Sequence, residues 1–320
     1  MDALGCTLCE SADIRFVKAV KDSNHYLEGQ WRLCYCRSCR VHFLADAPDP
    51  DEISRYYPAQ RYYTHNRPAA DGRLISMIYD YYYGFDRSFI AGLLYYALRK
   101  NINMFPPKKF SNGYLLDVGC GNGQLLQRFG RYGFHCEGYD VDDNALRAAQ
   151  SIGVTTYSGA FSELMLDQKY GVVILNQVLE HLHDPLSTLL RVKELLLDNG
   201  TLIISVPNVR CIDFRMLRDS WTAFQAPTHL FHHNIDSLTF LVEKAGFRIT
   251  QVAYASPFAA LKRRYLKRNL HNLFRIEKSK FAALLKSSLF LMASLLVLVP
   301  GLSRYKRNRI TVYCERYAES

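Results

Sequence analysis

Short apolar runs alternate with amphipathic segments over residues 113–257. The apolar runs predict β-strands, and the segments with apolar residues three and four positions apart predict α-helices. The predicted strands span residues 114–118, 135–139, 154–157, 171–175 and 202–206, and the predicted helices span 124–132, 144–151 and 185–197. This alternation predicts an α/β fold with a doubly wound parallel sheet that helices cover on both faces. Ligands of such sheets bind at the carboxyl ends of the strands, near the point where the strand order reverses.

Composition divides the chain into five regions. Residues 1–46 are rich in cysteine, and residues 47–112 are rich in tyrosine and are expected to form a helical cap or linker. Residues 113–257 form the predicted α/β core. Residues 258–308 are basic, then apolar, then basic again, and are expected to form a helical insertion. Residues 309–320 alternate apolar and polar side chains, which predicts a final strand of the core sheet.

The bulk composition fits a folded, basic protein. Hydrophobic residues make up 49% of the 320 residues, and the net charge of +10 favours an anionic partner. The N-terminus lacks the apolar stretch of a secretory signal, so we expect a cytoplasmic protein. In a reducing compartment the nine cysteines are expected to be metal ligands or core residues rather than disulfides.

Two Cys-x-x-Cys pairs, Cys6 with Cys9 and Cys36 with Cys39, lie near the N-terminus. Four thiolates at this spacing form a tetrahedral site suited to Zn²⁺. Cys34 lies too early for the second pair and is not an expected ligand. Because protein thiolates fill all four positions, we expect a structural zinc ion that holds together a module too small for its own core.

A glycine-rich turn joins the first predicted core strand to its helix, in the sequence Leu-Asp-Val-Gly-Cys-Gly-Asn-Gly that ends at Gly123. Glycines allow such a turn to approach a ligand closely. Asp140 ends the next predicted strand, where a carboxylate can accept the hydroxyls of a ribose. The alternative is that Asp140, Asp142 or Asp143 caps the following helix.

A third polar block follows the apolar strand at residues 171–175: Asn176, Gln177, Glu180, His181 and His183 precede a helix that begins at Pro185. Together the three blocks resemble the class I S-adenosylmethionine (SAM)-dependent methyltransferases, with the similarity running over residues 114–247. The resemblance implies a seven-stranded Rossmann-like sheet with SAM as the cofactor.

The resemblance also implies a role for each matching residue. Asp117 and the backbone at Gly119, Cys120, Gly121 and Gly123 would hold the methionine part of SAM. Asp140 would bind the ribose and Val141 would contact the adenine. Asn176 and Gln177 would lie along the cofactor near the sulfonium.

A second resemblance is narrower. Ser-Val-Pro-Asn at 205–208, Trp221, Pro-Thr-His-Leu-Phe-His at 227–232 and Ala-Gly-Phe at 245–247 are similar to a bacterial subgroup associated with surface-polysaccharide and sugar modification. That subgroup often begins with a small cysteine-rich module. The chain departs from it at Thr228, where the pattern is commonly basic. The subgroup implies a sugar or glycan-lipid substrate.

Methyl transfer to a hydroxyl or an activated carbon needs a base, and histidine is the usual base near neutral pH. His181 is the first candidate because it follows the fourth strand, His229 is the second, and Glu180 could orient either ring. His183, His232 and His233 are further candidates, and for the last two a structural role is favoured. Tyr56, Tyr57, Tyr62 and Tyr63 either fold over the cofactor as a lid or belong to a packed aromatic layer.

Residues 287–303 are uncharged and mostly apolar, and basic residues flank them: Lys262, Arg263, Arg264, Lys267, Arg268, Arg304, Lys306, Arg307 and Arg309. If strands at 247–254 and 309–317 belong to one sheet, the chain must leave and return on the same side of a membrane. We therefore expect an insertion in the interface of an anionic membrane, on its cytoplasmic face. A buried helix or a dimer contact is the alternative.

The sequence thus predicts a SAM-dependent methyltransferase that acts on a sugar or a lipid-linked glycan precursor, with O-methylation favoured over C-methylation. The alternative acceptor is a lipid or a quinone-like molecule. A nucleic-acid partner is not expected, because the basic residues cluster beside the apolar run rather than among the cysteines. A non-catalytic SAM-binding scaffold is disfavoured by the complete glycine-rich motif and Asp140.

Overall fold

The computed structural model describes residues 5–22, 29–57, 73–98, 104–217, 221, 223–254, 280, 284, 286–288 and 308–317. The strands are β1 Ile14–Val20, β2 Trp31–Cys36, β3 His42–Leu44, β4 Tyr114–Val118, β5 His135–Tyr139, β6 Thr155–Tyr157, β7 Tyr170–Asn176, β8 Leu196–Pro207, β9 Phe231–His232, β10 Phe247–Tyr254 and β11 Arg309–Arg316. The α-helices are α1 Arg73–Tyr83, α2 Phe89–Leu98, α3 Gln124–Gly130, α4 Asp143–Ser151, α5 Pro185–Leu195, α6 Ile212–Leu217 and α7 Ile235–Lys244.

The main sheet has seven strands, as the family resemblance implied, and their order is β10-β11-β8-β7-β4-β5-β6. Strands β4 to β8 are parallel, and β11 runs antiparallel to both of its neighbours. The chain builds outward from β4 to β6 and then crosses to β7 on the other side of β4. The strand order therefore reverses between β4 and β7, which places the expected ligand crevice there.

Strand β7 shows why this sheet forms. Its residues from Tyr170 to Leu175 are all buried, as expected for a central parallel strand covered by helices on both faces. Local signals position the helices: the Asp142 carboxylate accepts from the Asn144 and Ala145 amides at the start of α4, and Asp184 caps α5 ahead of Pro185.

Several boundaries differ from the prediction. Helix α3 ends at Gly130 and α5 ends at Leu195, both earlier than expected. Strand β8 begins directly at Leu196, where Leu196 pairs with Tyr170 before the register shifts. Asp198, Asn199 and Gly200, residues that by themselves favour a turn, lie within β8 at this register shift, between the pairs that Leu196 and Thr201 make with β7.

A second, four-stranded antiparallel sheet has the order β1-β2-β3-β9. Its first three strands come from the cysteine-rich region. The fourth strand comes from the core region after β8, and Phe231 and His232 pair with Phe43 and His42. The N-terminal region thus shares a sheet with the core.

Packing joins the two regions as well. Cys36, Val41 and Phe43 belong to the same apolar cluster as Leu175 and Leu238. A further cluster joins Trp31, Leu33 and Leu44 to Cys211, Trp221 and Phe224.

Helices α1 and α2 place the tyrosine-rich stretch against the face of the sheet that carries α3. The Tyr79 ring packs edge-on against Phe129, and its hydroxyl donates to the Met104 carbonyl over 2.6 Å. Tyr132 donates to Asp80 over 3.0 Å. These aromatic residues form a packed layer, whereas Tyr62 and Tyr63 lie outside the described residues.

Strands β10 and β11 pair along their whole length, with Tyr254 opposite Ile310. The two strands that flank the predicted insertion are therefore neighbours in one sheet, as the sequence argument required. Nearly all of 258–308 lies outside the described residues. Among the helices that the structure describes, none combines the length and the hydropathy needed to cross a bilayer.

Candidate active site

The turn between β4 and α3 requires glycine. Gly119, Gly121 and Gly123 have φ angles of +78°, +54° and +72°, in the left-handed region that favours glycine. A Cβ atom on Gly119 would lie 2.3 Å from Val178 Cγ2, well inside van der Waals contact. The loops after β4 and β7 therefore approach each other as closely as a residue without a side chain permits.

The backbone amides of this turn donate hydrogen bonds to acceptors within the protein. The amides of Gly119 and Cys120 both donate to the Tyr139 carbonyl, over 2.7 and 2.9 Å. The Gly121 amide donates to Asp140 Oδ2 over 2.8 Å. A carboxylate of a bound ligand would therefore depend on donors other than these three amides.

Asp140 does not cap the helix that follows it. Asp142 caps α4, while Asp140 Oδ1 accepts from the Asp142 amide over 3.0 Å. Burial raises the pKa of Asp140 above its usual value. Each of its oxygens retains a second lone pair for a ligand hydroxyl. Beside it the Val141 side chain is 81% exposed, which leaves an apolar surface next to the carboxylate.

Two buried acceptor atoms lie at the ends of β4 and β7. Within the described part of the chain, Asp117 Oδ1 and Asn176 Oδ1 have no hydrogen-bond partner. Burial, and then the charge of Asp140, raises the pKa of Asp117 well above its ordinary value. Buried acceptors without a partner are rare and are expected to meet a ligand.

These residues fit SAM on chemical grounds. Its ammonium group, ribose hydroxyls and sulfonium charge are matched by carboxylates and an amide oxygen, and the glycine turn lets the backbone approach closely. Gln177 fits less well than predicted. Its backbone amide and its side-chain Nε2 both donate to the Ser205 carbonyl, over 2.8 and 3.0 Å, and its φ is +61°. Gln177 thus ties the turn after β7 to β8, while Asn176 keeps its oxygen for a ligand.

The three predicted catalytic residues come together beyond the ends of β7 and β8. A carboxylate oxygen of Glu180 and one ring nitrogen from each of His181 and His229 lie within 4.8 Å of one another. The two imidazole rings meet edge to face, with centroids 4.5 Å apart. The Leu230 amide donates to the Glu180 carbonyl over 2.8 Å, which joins the two segments that carry these side chains.

Burial changes the ionisation of all three groups. Glu180 is 1% exposed, and among the residues that the structure describes neither of its carboxyl oxygens has a partner. Burial raises the pKa of Glu180 to about 8. Burial lowers the pKa of His181 to about 4 and that of His229 well below its usual value, so both rings are neutral at pH 7.

Backbone carbonyls select the tautomers of the two rings. His181 Nδ1 lies 2.7 Å from the Thr228 carbonyl, which can only accept, so Nδ1 carries the proton and Nε2 is the basic nitrogen. His229 hydrogen-bonds the Ala223 carbonyl, and in the described ranges its Nδ1 has no partner. Each ring thus has one unprotonated nitrogen that could accept a proton.

The other histidines occupy structural positions. His183 Nε2 lies 2.8 Å from the Pro48 carbonyl. The His232 ring stacks on Phe224 with centroids 4.3 Å apart, and His233 Nδ1 lies 3.3 Å from the Ser237 hydroxyl at the start of α7. The structural interpretation favoured for His232 and His233 agrees with these contacts.

Two contributors, Ser205 and Thr228, appear in the sequence analysis only as parts of a motif, with no expected role at the site. Ser205 and Thr228 act through their backbone carbonyls, which carry no side-chain signature. Tyr57 was assigned either to a lid over the cofactor or to a packed aromatic layer, and its hydroxyl lies 3.0 Å from His181 Nδ1. The tyrosine-rich composition pointed to this segment without indicating that contact.

The predicted zinc ligands also come together. The Sγ atoms of Cys6, Cys9, Cys36 and Cys39 lie within 4.8 Å of one another. Cys6 and Cys39 are 3.6 Å apart at sulfur, and Cys9 and Cys36 are 3.5 Å apart.

The two cysteine turns have matching backbones. Glu10 and Arg40, which follow Cys9 and Cys39, both have positive φ angles of +64° and +62°. The Cys6 amide donates to the Ser11 carbonyl, and the Cys36 amide donates to the Val41 carbonyl, at the same spacing along the chain.

The model of a methyltransferase-domain family matches residues 90–252, which is half of the chain. The chain belongs to this family, and the prediction of a methyltransferase is confirmed at that level. Its relatives include the ubiquinone biosynthesis O-methyltransferase of Cereibacter sphaeroides, 32% identical over 153 residues, 44% of this chain and 62% of the relative. The enzyme of the same name from Ruegeria is 33% identical over 158 residues, 43% of this chain and 61% of the relative. The chain thus covers about three fifths of the length of these relatives.

Solved structures with a similar fold include a SAM-dependent methyltransferase from Archaeoglobus fulgidus, with a TM-score of 0.44 and 17% identity over 74% of this chain and 100% of that chain. Coclaurine N-methyltransferase bound to N-methylheliamine and SAH gives a TM-score of 0.43 and 11% identity, with 70% of each chain covered.

Proposed function

We propose that the protein transfers a methyl group from SAM to a hydroxyl oxygen of a lipid-like, quinone-type acceptor. The observation that carries the proposal is the glycine-rich turn with a buried carboxylate, Asp117, and a half-buried one, Asp140, set beside two histidine rings that are neutral at pH 7. The names of the relatives favour this acceptor, which was the alternative in the sequence analysis, over the sugar or glycan-lipid acceptor considered first.

The cofactor would lie across the crevice between β4 and β7. Asp140 would accept from the ribose hydroxyls, Val141 would contact the adenine, and Asp117 and Asn176 would accept from the amino-acid part. When bound, SAM would supply a methyl group on its sulfonium sulfur, and the bond from this methyl group to sulfur would break as the bond to the acceptor oxygen forms. The protein's own residues must align that oxygen and take its proton.

His181 Nε2 is the proposed proton acceptor. Its ring is neutral at pH 7 and its Nδ1–H points at the Thr228 carbonyl, so only Nε2 can take a proton. Glu180, which burial keeps protonated at pH 7, would ionise more readily beside a positively charged ring and would so compensate that charge. His229 packs against the ring of His181 and fixes its position.

The cysteine cluster is proposed to hold a structural Zn²⁺ ion. Zinc–sulfur bonds of about 2.3 Å in a tetrahedron place the sulfur atoms about 3.8 Å apart. The pairs at 3.5 and 3.6 Å are close to this value. Purified protein should contain one zinc ion per chain. Cys36→Ser should lose it while Cys34→Ser, on the same strand, keeps it. Equal zinc in both variants would contradict the site.

The segment between β10 and β11 is proposed to contact an anionic membrane surface on the cytoplasmic side. Strand β10 ends and β11 begins at the carboxyl edge of the sheet, the edge that carries the active site, since Arg309 pairs with Pro207 at the end of β8. A basic and apolar segment at this edge would bring a lipid-embedded acceptor to the site.

Vesicle sedimentation tests the membrane contact. Phosphatidylglycerol vesicles should retain the full chain at low salt, and phosphatidylcholine vesicles should retain less. A variant in which a short turn replaces 255–307 should not sediment with either. Equal sedimentation of that variant would overturn this part of the proposal.

Methyl-labelled SAM tests the acceptor. Purified full-length protein is given dodecylcatechol in phosphatidylglycerol vesicles, or membrane-extracted lipid-linked glycans together with nucleotide sugars. Label on the catechol supports the proposal. Label confined to the sugar pools would favour the glycan acceptor instead, and SAM binding without transfer to any pool would indicate a non-catalytic scaffold. Gly119→Ala, which closes the cofactor turn, is the background control.

A further inference from the structure

Tyr57 connects the N-terminal region to the candidate base. It follows a short 3-10 turn at Ile53–Tyr56, beyond the cysteine-rich sheet. Its hydroxyl lies 3.0 Å from His181 Nδ1, and the two rings have centroids 6.1 Å apart at 49°. The contact joins residues separated by 124 positions in the sequence.

The chemistry of the contact is set by a third group. The Thr228 carbonyl lies 2.7 Å from the same Nδ1 and can only accept a hydrogen bond. Nδ1 must therefore carry a proton, and the Tyr57 oxygen is a second acceptor for that N–H. Two oxygen acceptors on one side of the ring keep the proton on Nδ1 and leave Nε2 basic. They also stabilise the ring when it becomes positively charged.

The same N-terminal segment contacts the loop after β7 a second time. The Pro48 carbonyl lies 2.8 Å from His183 Nε2, so residues 48 and 57 bracket the loop that carries Glu180 and His181. Tyr56 turns the other way and packs edge-on against Trp31, with centroids 6.2 Å apart. Adjacent tyrosines therefore face different partners: one anchors the segment to the small sheet and the other meets the base.

We propose that Tyr57 is a positioning residue for His181, through which the N-terminal region completes the active site. The inference rests on the proposed role of His181 as the base. Glu180 and His229 also face the His181 ring, and neither supplies an acceptor at Nδ1. Tyr57 acts on the orientation and tautomer of the ring, not on the cofactor.

The test compares Tyr57→Phe with Tyr56→Phe in the full-length protein. Nitrogen-15 NMR of the histidine side chains reports the tautomer without any acceptor, and His181→Gln identifies the signals. Tyr57→Phe should move the Nδ1 and Nε2 signals of His181, and Tyr56→Phe should leave them in place. Unchanged signals in a folded Tyr57→Phe variant would overturn the proposal.

Turnover provides the second measurement. With dodecylcatechol as the probe, Tyr57→Phe should lower kcat about tenfold, as for one lost hydrogen bond to a charged ring, and leave the KM for SAM unchanged. Tyr56→Phe should keep both values. A higher KM at full kcat would contradict the positioning role. Shifted signals together with no transfer by the wild type would support the contact and refute the proposed reaction.

Discussion

Replacing Glu180 by glutamine should stabilise the protein at neutral pH. Burial raises the pKa of Glu180 from its ordinary 4.5 to about 8, so the folded state binds a proton that the unfolded state has lost at pH 7. The folded pKa is raised, so the group destabilises the fold increasingly as pH rises from 4.5 towards 8. At about 1.36 kcal/mol per pH unit, the cost at pH 7 is about 3 kcal/mol.

A glutamine side chain at this position has nearly the same shape and does not titrate, so the comparison isolates this cost. Urea unfolding of both proteins at pH 4.5, 5.5 and 7 would give the difference in the free energy of unfolding at each pH. The stability of Glu180→Gln relative to wild type should increase by about 3 kcal/mol between pH 4.5 and 7. Any constant packing difference cancels in this comparison. Glu163→Gln, on the surface, reports the effect of net charge alone.

Parallel curves for the wild type and Glu180→Gln would refute the reasoning. They would mean that Glu180 has the same proton affinity in the folded and unfolded states, and that its burial is compensated. The same variant should turn over more slowly, because glutamine cannot ionise to compensate the positive charge that the His181 ring gains. A gain in stability with a loss of turnover is expected where a buried group serves function rather than folding.

Three further predictions concern the cofactor turn and the buried histidines. Asp117→Asn should raise the Kd of SAM by about 10- to 100-fold, as expected for a lost charge-assisted hydrogen bond. Asp142→Asn should leave the Kd unchanged, because Asn caps helices as well as Asp does. Calorimetric titration of SAM into both variants tests the difference. Gly119→Ala should lose about 1–3 kcal/mol of stability and its SAM binding, and adding Val178→Ala should recover part of both, since Val178 Cγ2 lies 2.3 Å from the new Cβ; no recovery would place the clash elsewhere. Burial lowers the pKa of His232 to about 3, so the protein loses stability as pH falls below 6.5 towards 3, by about 2 kcal/mol at pH 5. The free energy of unfolding of the wild type relative to His232→Leu should therefore fall by that amount between pH 7 and pH 5. An unchanged difference between the two proteins would refute this prediction.

Local signals allowed the main sheet to be predicted. Asp142 and Pro185 mark the starts of α4 and α5, and the apolar run of β7 is long enough to identify a central strand. The glycine turn and Asp140 could be identified because their chemistry depends on residues close together in the sequence. These features follow from backbone conformation and solvent exclusion, which a few neighbouring residues determine.

Contacts between distant segments could not be predicted in this way. Strand β9 has two residues and no periodicity, and it exists because Phe231 pairs with Phe43. The partner of Gln177 is a backbone carbonyl on β8, and every residue type has such a carbonyl, so the sequence carries no signal for this contact. The contact between Tyr57 and His181 is likewise a product of tertiary packing. The sequence therefore allowed candidate reactive groups to be named, but not the groups that contact them from distant segments.

The pairing of β10 with β11 has a consequence for how this protein can be modified. Tyr254 and Ile310 are opposite each other, so residues 255–307 leave and re-enter the sheet at adjacent positions. Shortening such a loop to a few residues changes its closure free energy by only about 2 kcal/mol. The register of the flanking strands does not depend on the length between them. Another sequence can therefore be grafted between these two strands without rebuilding the cofactor crevice.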